Sequence, residues 1–146
     1  MADTLTPAQR SERMSRIRSS NTKPELALRK AAHKLGLRYT LRNNDLPGKP
    51  DMVFRRSRVV VFVHGCFWHR HENCKVANLP KSNTAFWEEK FERNVMRDAR
   101  NDEQLRALGW QVEVLWECEL TSTKLANAAQ KLRSIVKSGQ KIRVRP

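Results

Sequence analysis

The sequence predicts an α/β protein in which helices flank a mixed β-sheet. Residues Val59 to Val63 are β-branched or aromatic, which is typical of a strand buried on both faces. Helical patterns lie before and after this run, so the element order is helix, strands, helix, strand, helix. We expect one domain over residues 21–138, with a basic arm over 1–20 and a basic tail over 139–146.

The first elements are predicted from capping and turn residues. The Thr22–Glu25 capping box starts a helix that Gly36 ends, and alternation over Leu37 to Leu41 indicates a strand with one wet face. Two short strands around the turn at residues 55–58 form a hairpin that brings Asp51 near His64. The later elements are a helix over 84–108 ended by Gly109, a strand over 110–116 and a capped amphipathic helix over 121–137.

The charge of the chain points to a polyanionic partner. Its 146 residues carry a formal net charge of +14, so nucleic acid is the first partner to consider and an acidic membrane surface the second. No stretch approaches the roughly 20 apolar residues that span a bilayer, and residues 1–10 lack the apolar core of a signal peptide. We therefore expect a cytoplasmic protein with three cysteines serving as thiolates or metal ligands.

The arm has two interpretations on composition. Residues 1–20 carry four arginines with Met14 and Ile17 between them and have no apolar periodicity. They form either a disordered basic tail or an arm that becomes ordered on a phosphate backbone.

All three cysteines and one histidine have the composition of a structural zinc site. Cys66, His71 and Cys74 are spaced Cys-x4-His-x2-Cys, and Cys118 ends a strand that can lie alongside. Three thiolates and one imidazole complete a tetrahedral zinc shell with no position for water. The alternative is a set of ordinary buried free cysteines. The polar, histidine-rich surroundings favour zinc.

The remaining acidic and imidazole groups suggest hydrolytic chemistry. His64 and His69 lie outside the zinc shell, and an imidazole near neutral pKa can carry a proton. Asp51 is either a hard oxygen ligand for Mg²⁺ or a cap on the Pro50 turn. Together with Asp98, in a strongly positive field, these residues describe metal-assisted phosphodiester cleavage.

Aromatic residues accompany this set. Phe67 and Trp68 either cover the zinc site or stack against bases, and Trp87 across a cleft strengthens the second reading. At 100° per residue, one face of the helix predicted over 84–108 spans an arc of about 80°. This face is polar and aromatic in the first half of the helix and apolar in the second half. That face consists of Trp87, Lys90, Asn94, Asp98, Leu105 and Leu108.

Several motifs together resemble the very-short-patch-repair (Vsr) mismatch endonucleases. They are Leu-Pro-Gly-Lys-Pro-Asp at 46–51, Phe-Val-His-Gly-Cys-Phe-Trp-His-Arg-His at 62–71, Phe-Trp at 86–87 with Asn94, Val95 and Asp98, and Trp110 with Val114 and Trp-Glu-Cys at 116–118. The resemblance runs from about residue 10 to residue 118. It implies a restriction-endonuclease-like fold of the PD-(D/E)xK type and Mg²⁺-dependent nicking of one DNA strand. In this family the cut falls 5′ to the thymine of a T·G mismatch that arises by deamination of 5-methylcytosine.

The resemblance also implies roles for particular residues. Asp51 and the backbone carbonyl of Val63 would hold Mg²⁺, and His69 would be the general base. His64 with Asp98 would serve the leaving group or a water on the metal. Glu25 falls where the family has an acidic residue near the metal waters. The residues implied to contact DNA are Phe67, Trp68 and Trp87 from the major groove, Met14 from the minor groove, and Lys90 and Asn94 at the mismatched thymine.

Three positions depart from the family form. Val63 stands where threonine is frequent, Arg70 interrupts a histidine run, and the gap from His71 to Cys74 is one residue longer. A backbone ligand survives the first change, and no assigned ligand is lost by the second. The zinc loop is expected to change shape.

Two other functions fit part of this pattern. A zinc-stabilised DNA-binding module without catalysis is consistent with the charge and the Cys/His content. An HNH-type nuclease uses similar residues, but the chain lacks the paired Cys-x2-Cys supports of many members. We expect a monomer, because a single mismatch is not a two-fold target, and downstream repair proteins as partners.

Overall fold

The structure, a computed structural model, describes residues 22–75 and 77–143, and residues 140–143 only as helical backbone. The predicted arm over 1–20, with Met14, lies outside the described residues. The elements in chain order are helix α1 (Lys23–Lys34), strands β1 (Met52–Phe54) and β2 (Val59–His64), helix α2 (Thr84–Ala107), strand β3 (Gln111–Trp116), a 3₁₀ turn (Glu117–Glu119) and helix α3 (Leu125–Arg143).

The three strands form a mixed sheet in the order β1-β2-β3. Strands β1 and β2 are antiparallel, with Met52 opposite Val61, which confirms the predicted hairpin. Strands β2 and β3 are parallel, and His64 lies opposite Trp116 at their ends. This topology brings the start of β1 and the ends of β2 and β3 to one edge of the sheet. The segments that leave this edge carry most of the predicted site.

Helices cover both faces of the sheet, as the predicted α/β architecture requires. Alternate residues of a strand point to opposite faces, so Val59 and Val61 pack with α1 and α3, whereas Val60 packs with α2. Burying each such side chain contributes about 1.5–3 kcal/mol. The main residues of the first core are Leu28, Ala32, Met52, Phe54, Leu115 and Leu132, and those of the second are Leu46, Val53, Leu105, Trp110 and Val112.

Helix α1 begins and ends where the sequence predicts, but the capping box does not form. Pro24 occupies the first turn and Gly36, with φ of +79°, follows the helix end. Thr22 makes no side-chain hydrogen bond to the helix backbone. Its hydroxyl instead donates to the Glu25 carboxylate at 3.2 Å. The Glu25 side chain is buried and is used in tertiary contacts.

The strand predicted over Leu37 to Leu41 is wrong. Among the described residues, this segment pairs with the sheet only at an isolated bridge, where Thr40 and Val53 exchange backbone hydrogen bonds of 2.9 and 3.0 Å. The backbone groups of successive strand residues point to opposite edges, so the three-residue β1 offers few groups at its outer edge. The predicted alternation of exposure holds from Leu37, which is buried, to Thr40, and it fails at Leu41, which is exposed.

Helix α2 matches its prediction closely, and Gly109 follows it with φ of +91°. One predicted core residue differs. Leu105 is fully buried, whereas Leu108 is 54% exposed because the helix has ended and the chain turns towards β3. None of the described helices is long and apolar enough to cross a membrane.

Helix α3 starts later and ends later than predicted. It runs from Leu125 rather than Thr121, and the Thr121 carbonyl accepts a 2.9 Å hydrogen bond from the Leu125 amide. Its C-terminal end continues to Arg143, so the expected tail is helical over most of its length. A Cβ atom at Gly139 would lie 2.7 Å from the carbonyl oxygen of Ser57, so this glycine allows close packing on the hairpin. That contact supports the additional helical turn.

Candidate active site and metal cluster

The loop after β2 folds back on itself at the sheet edge. The amide of His69 donates to the carbonyl of Gly65 at 3.1 Å, and the amide of His71 donates to the carbonyl of Cys66 at 3.0 Å. These tight turns place imidazole, thiol and aromatic side chains in different directions from one short segment. Arg70 has a φ of +55°, a left-handed conformation that is uncommon outside glycine.

The four predicted zinc ligands come together. Their ligand atoms all lie within 4.8 Å of one another, and the three cysteines are free thiols. The Nδ1 atom of His71 is 3.6 Å from the Cys66 sulfur and 3.5 Å from the Cys118 sulfur. We call this set the cysteine cluster: Cys66, His71, Cys74 and Cys118. Three sulfurs and one imidazole nitrogen are a donor set that suits tetrahedral zinc.

The surroundings of the cysteine cluster also fit a cation. Burial raises the pKa of the Cys66 thiol to about 12, and a cation bound among the sulfurs would oppose that shift. The Cys66 amide donates to Oε1 of Glu117 at 3.0 Å, which ties the loop to the segment that carries Cys118. Asn73, with φ of +57°, turns the chain within the longer gap between His71 and Cys74.

A second cluster lies beside the first. The rings of His64 and His69 stack with centroids 3.9 Å apart and planes 5° from parallel. The Nδ1 atom of His69 lies 2.5 Å from Oδ2 of Asp98 on α2. The ligand atoms of these three residues, which we call the histidine cluster, lie within 4.8 Å of one another.

The hydrogen bonding of the histidine cluster differs from the expected pairing. The Asp98 carboxylate bonds to His69, not to His64. It therefore holds the Nδ1–H of His69 and leaves the other ring nitrogen available for chemistry. Burial, reinforced by the neighbouring His69, lowers the pKa of His64 to about 4. His64 is therefore uncharged near neutral pH.

Asp51 lies at the start of β1, on the same edge. Its Oδ2 atom accepts a 2.6 Å hydrogen bond from the Val63 amide, so the carboxylate bridges the hairpin and does not simply cap the Pro50 turn. Burial is the main cause that raises the pKa of Asp51 to about 7, and the charge of Glu25 acts in the same direction. The Val63 amide and the charges of Arg29 and His69 oppose this rise.

Glu25 brings a second carboxylate to this edge. Its side chain is only 3% exposed and bonds to the Arg29 guanidinium at 3.1 Å. Two acidic groups close together in a partly buried place suit a divalent cation with oxygen ligands. The Val63 side chain packs against the first core. Only its backbone is therefore available to bind a cation at this edge.

Trp116 joins the two clusters. Its ring stacks on His71 with centroids 4.2 Å apart and planes 9° from parallel, and it meets His64 edge-on at 5.2 Å. The parallel register of β2 and β3 places Trp116 beside His64. A continuous series of contacts thus runs from the cysteine cluster through Trp116 to the histidine cluster.

The three predicted base-contacting rings form an aromatic cluster, which we define as Phe67, Trp68 and Trp87. Their centroids lie 5.1 to 5.9 Å apart, and Phe67 packs on the buried Phe91 ring of α2 at 5.0 Å. Phe67 lies 5.8 Å from the guanidinium carbon of Arg70, and the ring–ring contacts described for Phe67 and Trp68 are with each other or with α2. They are not a cover over the cysteine cluster.

The two polar residues predicted to read the mismatch lie beside the aromatic cluster. The ammonium nitrogen of Lys90 is 5.9 Å from the centroid of the Trp68 ring. The Asn94 amide donates to the Trp68 carbonyl at 3.2 Å, so it also holds the loop on α2. The helix face predicted from periodicity is therefore assembled as expected up to Asp98.

Several residues of the site have no assigned role from the sequence. They are Arg29, Arg70, Phe91, Trp116 and Glu117. Spacing offers a signal for Arg29, which is four residues after Glu25, and strand register offers one for Trp116. The contact of Glu117 with Cys66 crosses 51 positions and has no local signal.

Comparison with known proteins identifies the family of this chain. The family model described as DNA mismatch endonuclease Vsr matches residues 2–75. The type II nicking enzyme V.XorIIP of Xanthomonas oryzae pv. oryzae (strain KACC10331 / KXO85) is 46% identical over 136 residues, covering 93% of this chain and 98% of that protein.

Two further relatives have similar identity. The type II nicking enzyme V.NmeAIP of Neisseria meningitidis serogroup A / serotype 4A (strain DSM 15465 / Z2491) is 45% identical over 120 residues, with coverage of 82% and 85%. The DNA mismatch endonuclease Vsr of Escherichia coli (strain K12) is 42% identical over 120 residues, with coverage of 82% and 76%. With the family model and these relatives agreeing over most of its length, the chain belongs to the Vsr family of DNA mismatch endonucleases.

Proposed function

We propose that this protein nicks one DNA strand 5′ to the thymine of a T·G mismatch, with Mg²⁺, in very short patch repair of deaminated 5-methylcytosine. The observation that carries the proposal is the meeting of Asp51 and the histidine cluster at one sheet edge. Asp51 bonds to the end of β2, from which His64 and His69 emerge, and α2 supplies Asp98. Acidic and imidazole groups together provide both a cation site and a proton acceptor.

The cation site would use the Asp51 carboxylate and the Val63 backbone carbonyl, with Glu25 near the waters. When bound, Mg²⁺ supplies positive charge against the phosphodiester that is cut. The chain's own contribution is to aim the carboxylates. The Val63 amide fixes the Asp51 carboxylate, and the Arg29 guanidinium fixes the Glu25 carboxylate.

His69 would take the proton from the attacking water. Asp98 holds its Nδ1–H and orients the ring, an arrangement that general bases of this type use. His64 is neutral and stacked on His69, so it fits the orientation of a water near the leaving oxygen better than the donation of a proton. The resemblance implied that His64 acts together with Asp98. In this proposal Asp98 instead orients His69, and His64 orients a water.

The cysteine cluster would hold a structural zinc ion. Three sulfurs and one nitrogen leave no open position, so the ion would fix the loop and perform no chemistry. The loop carries His69 and the Phe67–Trp68 pair, so zinc would set the geometry of both cleavage and DNA contact.

The aromatic cluster would wedge beside the mismatch from the major-groove side. Lys90 and Asn94 would read the mismatched thymine, and Met14 on the arm would enter from the minor groove. The net charge of +14 supports binding to the phosphate backbone. The detailed restriction-endonuclease-like topology, the monomeric state, the repair partners and the cytoplasmic location stay predictions.

A nicking assay tests the proposal. End-labelled duplexes with a T·G mismatch in varied contexts are incubated with Mg²⁺, beside fully paired duplexes. We expect a single cut 5′ to the mismatched thymine, and loss of that cut in Asp51→Asn with zinc content unchanged. Asp45→Asn is the matched control, because Asp45 is an exposed carboxylate bonded to Arg55.

Two other outcomes would change the assignment. Tight, mismatch-independent binding without any cut would favour the zinc-stabilised binding module, which the cysteine cluster and the charge also support. Full nicking in Asp51→Asn, with loss in His64→Ala, would move the cation to the histidine cluster, whose ligand atoms are also close enough to hold one.

A further inference from the structure

Arg70 makes an unusual set of contacts for a residue between two functional histidines. Its guanidinium donates to the carbonyl of Ala77 at 2.7 Å, to that of Phe67 at 3.3 Å and to that of Asn78 at 3.4 Å. Its guanidinium carbon Cζ lies 4.2 Å from the centroid of the Phe91 ring and 5.8 Å from the centroid of the Phe67 ring. The side chain is half-buried, and the backbone adopts a left-handed conformation to place it there.

These contacts connect three separate segments. The hydrogen bonds join the backbone of Phe67 to residues 77–78, and the cation–π contact places both on α2 through Phe91. A guanidinium provides several donors in a plane and stacks on a ring, whereas an ammonium group is a compact point charge. The geometry therefore requires arginine in particular, not simply a positive charge.

Arg70 lies outside both metal-ligand sets. The cysteine cluster takes His71, and the histidine cluster takes His69, so Arg70 has no ligand role in either. Its contacts are instead with Phe67 of the aromatic cluster, with the Phe91 ring on which Phe67 packs, and with the backbone of residues 77–78. The position that interrupts the histidine run in the sequence thus has a distinct structural use.

We propose that Arg70 is a positioning residue that holds Phe67 and Trp68 in place before DNA binds and thereby sets discrimination between mismatched and paired DNA. The inference rests on the proposed function for its DNA readout. A pre-positioned pair of rings loses less conformational freedom when it inserts between bases, so binding to an easily unstacked mismatch is favoured.

The first test needs no DNA. Hydrogen exchange is measured on the free, zinc-loaded protein for wild type, Arg70→Lys and Arg70→Met. We expect amides over 66–71 and 77–79 to exchange about tenfold faster in both variants, from the loss of a cation–π contact and charge-assisted hydrogen bonds. Amides of β2 and β3 and the zinc content should not change. Arg93→Lys and Arg93→Met are matched controls, because Arg93 is an exposed α2 arginine paired only loosely with Glu89, at 3.8 Å.

The second test uses duplexes with 2-aminopurine beside a T·G mismatch or beside the paired control. For Arg70→Lys we expect a smaller fluorescence rise and about a tenfold lower ratio of the paired Kd to the mismatch Kd. The kcat at saturating duplex should fall by less than tenfold. That split separates ring positioning from damage to the catalytic groups.

The outcomes are distinct. Wild-type exchange and discrimination in Arg70→Lys would overturn the proposal, since charge alone would then suffice. Zinc loss or faster amide exchange in the sheet, in both Arg70 variants, would also overturn the proposal in favour of a general structural role. The proposal would stand only if Phe91→Leu reproduces the faster exchange of the loop while the sheet and the zinc content stay intact. If wild type gives no fluorescence rise on T·G DNA, the proposed function fails, and the exchange data still decide whether Arg70 holds the loop.

Discussion

The cysteine cluster and the histidine cluster lie at the same edge of the sheet but are built in different ways. Three members of the cysteine cluster come from residues 66–74 of a single loop, and only Cys118 arrives from another segment. The histidine cluster combines the end of β2, its loop and α2, and it lies near Asp51 and Glu25 from two further segments. One cluster is local and the other depends on the whole fold.

The chemistry of the two clusters differs in the same way. The cysteine cluster has soft donors in a closed shell, which suits a structural ion. The neighbouring region has carboxylates and imidazoles, and burial raises the pKa of Asp51 and lowers the pKa of His64, which is typical of sites that perform reactions. Trp116 contacts both clusters, so a change in one can be transmitted to the other. The predictions below test this division.

The largest effect is expected at Asp98. Asp98→Asn removes the charge that orients His69, so kcat should fall about a thousandfold, or roughly 4 kcal/mol in activation free energy. Single-turnover nicking, DNA affinity and zinc content measure the effect, and the last two should be unchanged. Asp102→Asn is the control, because this carboxylate lies one turn further along α2 and pairs with Arg106. Parallel loss of zinc would show that the two clusters are not separable.

Cys118→Ser tests the cysteine cluster. Opening a closed coordination shell should release zinc and lower the free energy of unfolding by about 3 kcal/mol or more. Metal analysis of the purified protein and urea denaturation measure this, and a chelator should have a similar effect on wild type. Unchanged metal content would contradict the four-ligand site.

Trp116→Leu tests the contact between the clusters. We expect about a tenfold fall in kcat with zinc retained, because the ring that holds His64 and stacks on His71 is lost. Trp110→Phe is the control, since Trp110 is buried in the second core and contacts Arg58 instead. Equal kcat in both variants would mean that the clusters act independently.

The smallest effect is expected at Glu117. Glu117→Leu removes the acceptor for the Cys66 amide. The nicking rate and the zinc affinity should each fall about fivefold, which corresponds to the net free energy of about 1 kcal/mol that one hydrogen bond contributes. Glu117→Gln keeps an acceptor and should stay close to wild type. Glu113→Gln on β3 is the control, and a loss in Glu117→Gln as large as in Glu117→Leu would show that the charge matters more than the hydrogen bond.

The sequence was a good guide to elements that local signals set and a poor guide where contacts with distant residues decide. The hairpin, α2 and β3 were predicted because periodicity and turn residues are local signals. The strand over 37–41 failed because the pairing partner β1 is too short to support it. Helix α3 extends past Lys137 because Gly139 packs on Ser57, a contact that no local pattern contains.

By itself, the sequence determined the chemical types and their order. The four members of the cysteine cluster, the residues Asp51, His64, His69 and Asp98, and the aromatic residues are all readable as motifs with a family resemblance. Only the tertiary structure decided which groups touch. Asp98 bonds to His69 because α2 crosses the sheet at that loop, Glu25 faces Asp51 because α1 packs on the hairpin side, and Arg70 reaches Phe91 through a left-handed turn. Such pairings depend on distances between elements far apart in the chain, and a linear pattern does not specify those distances.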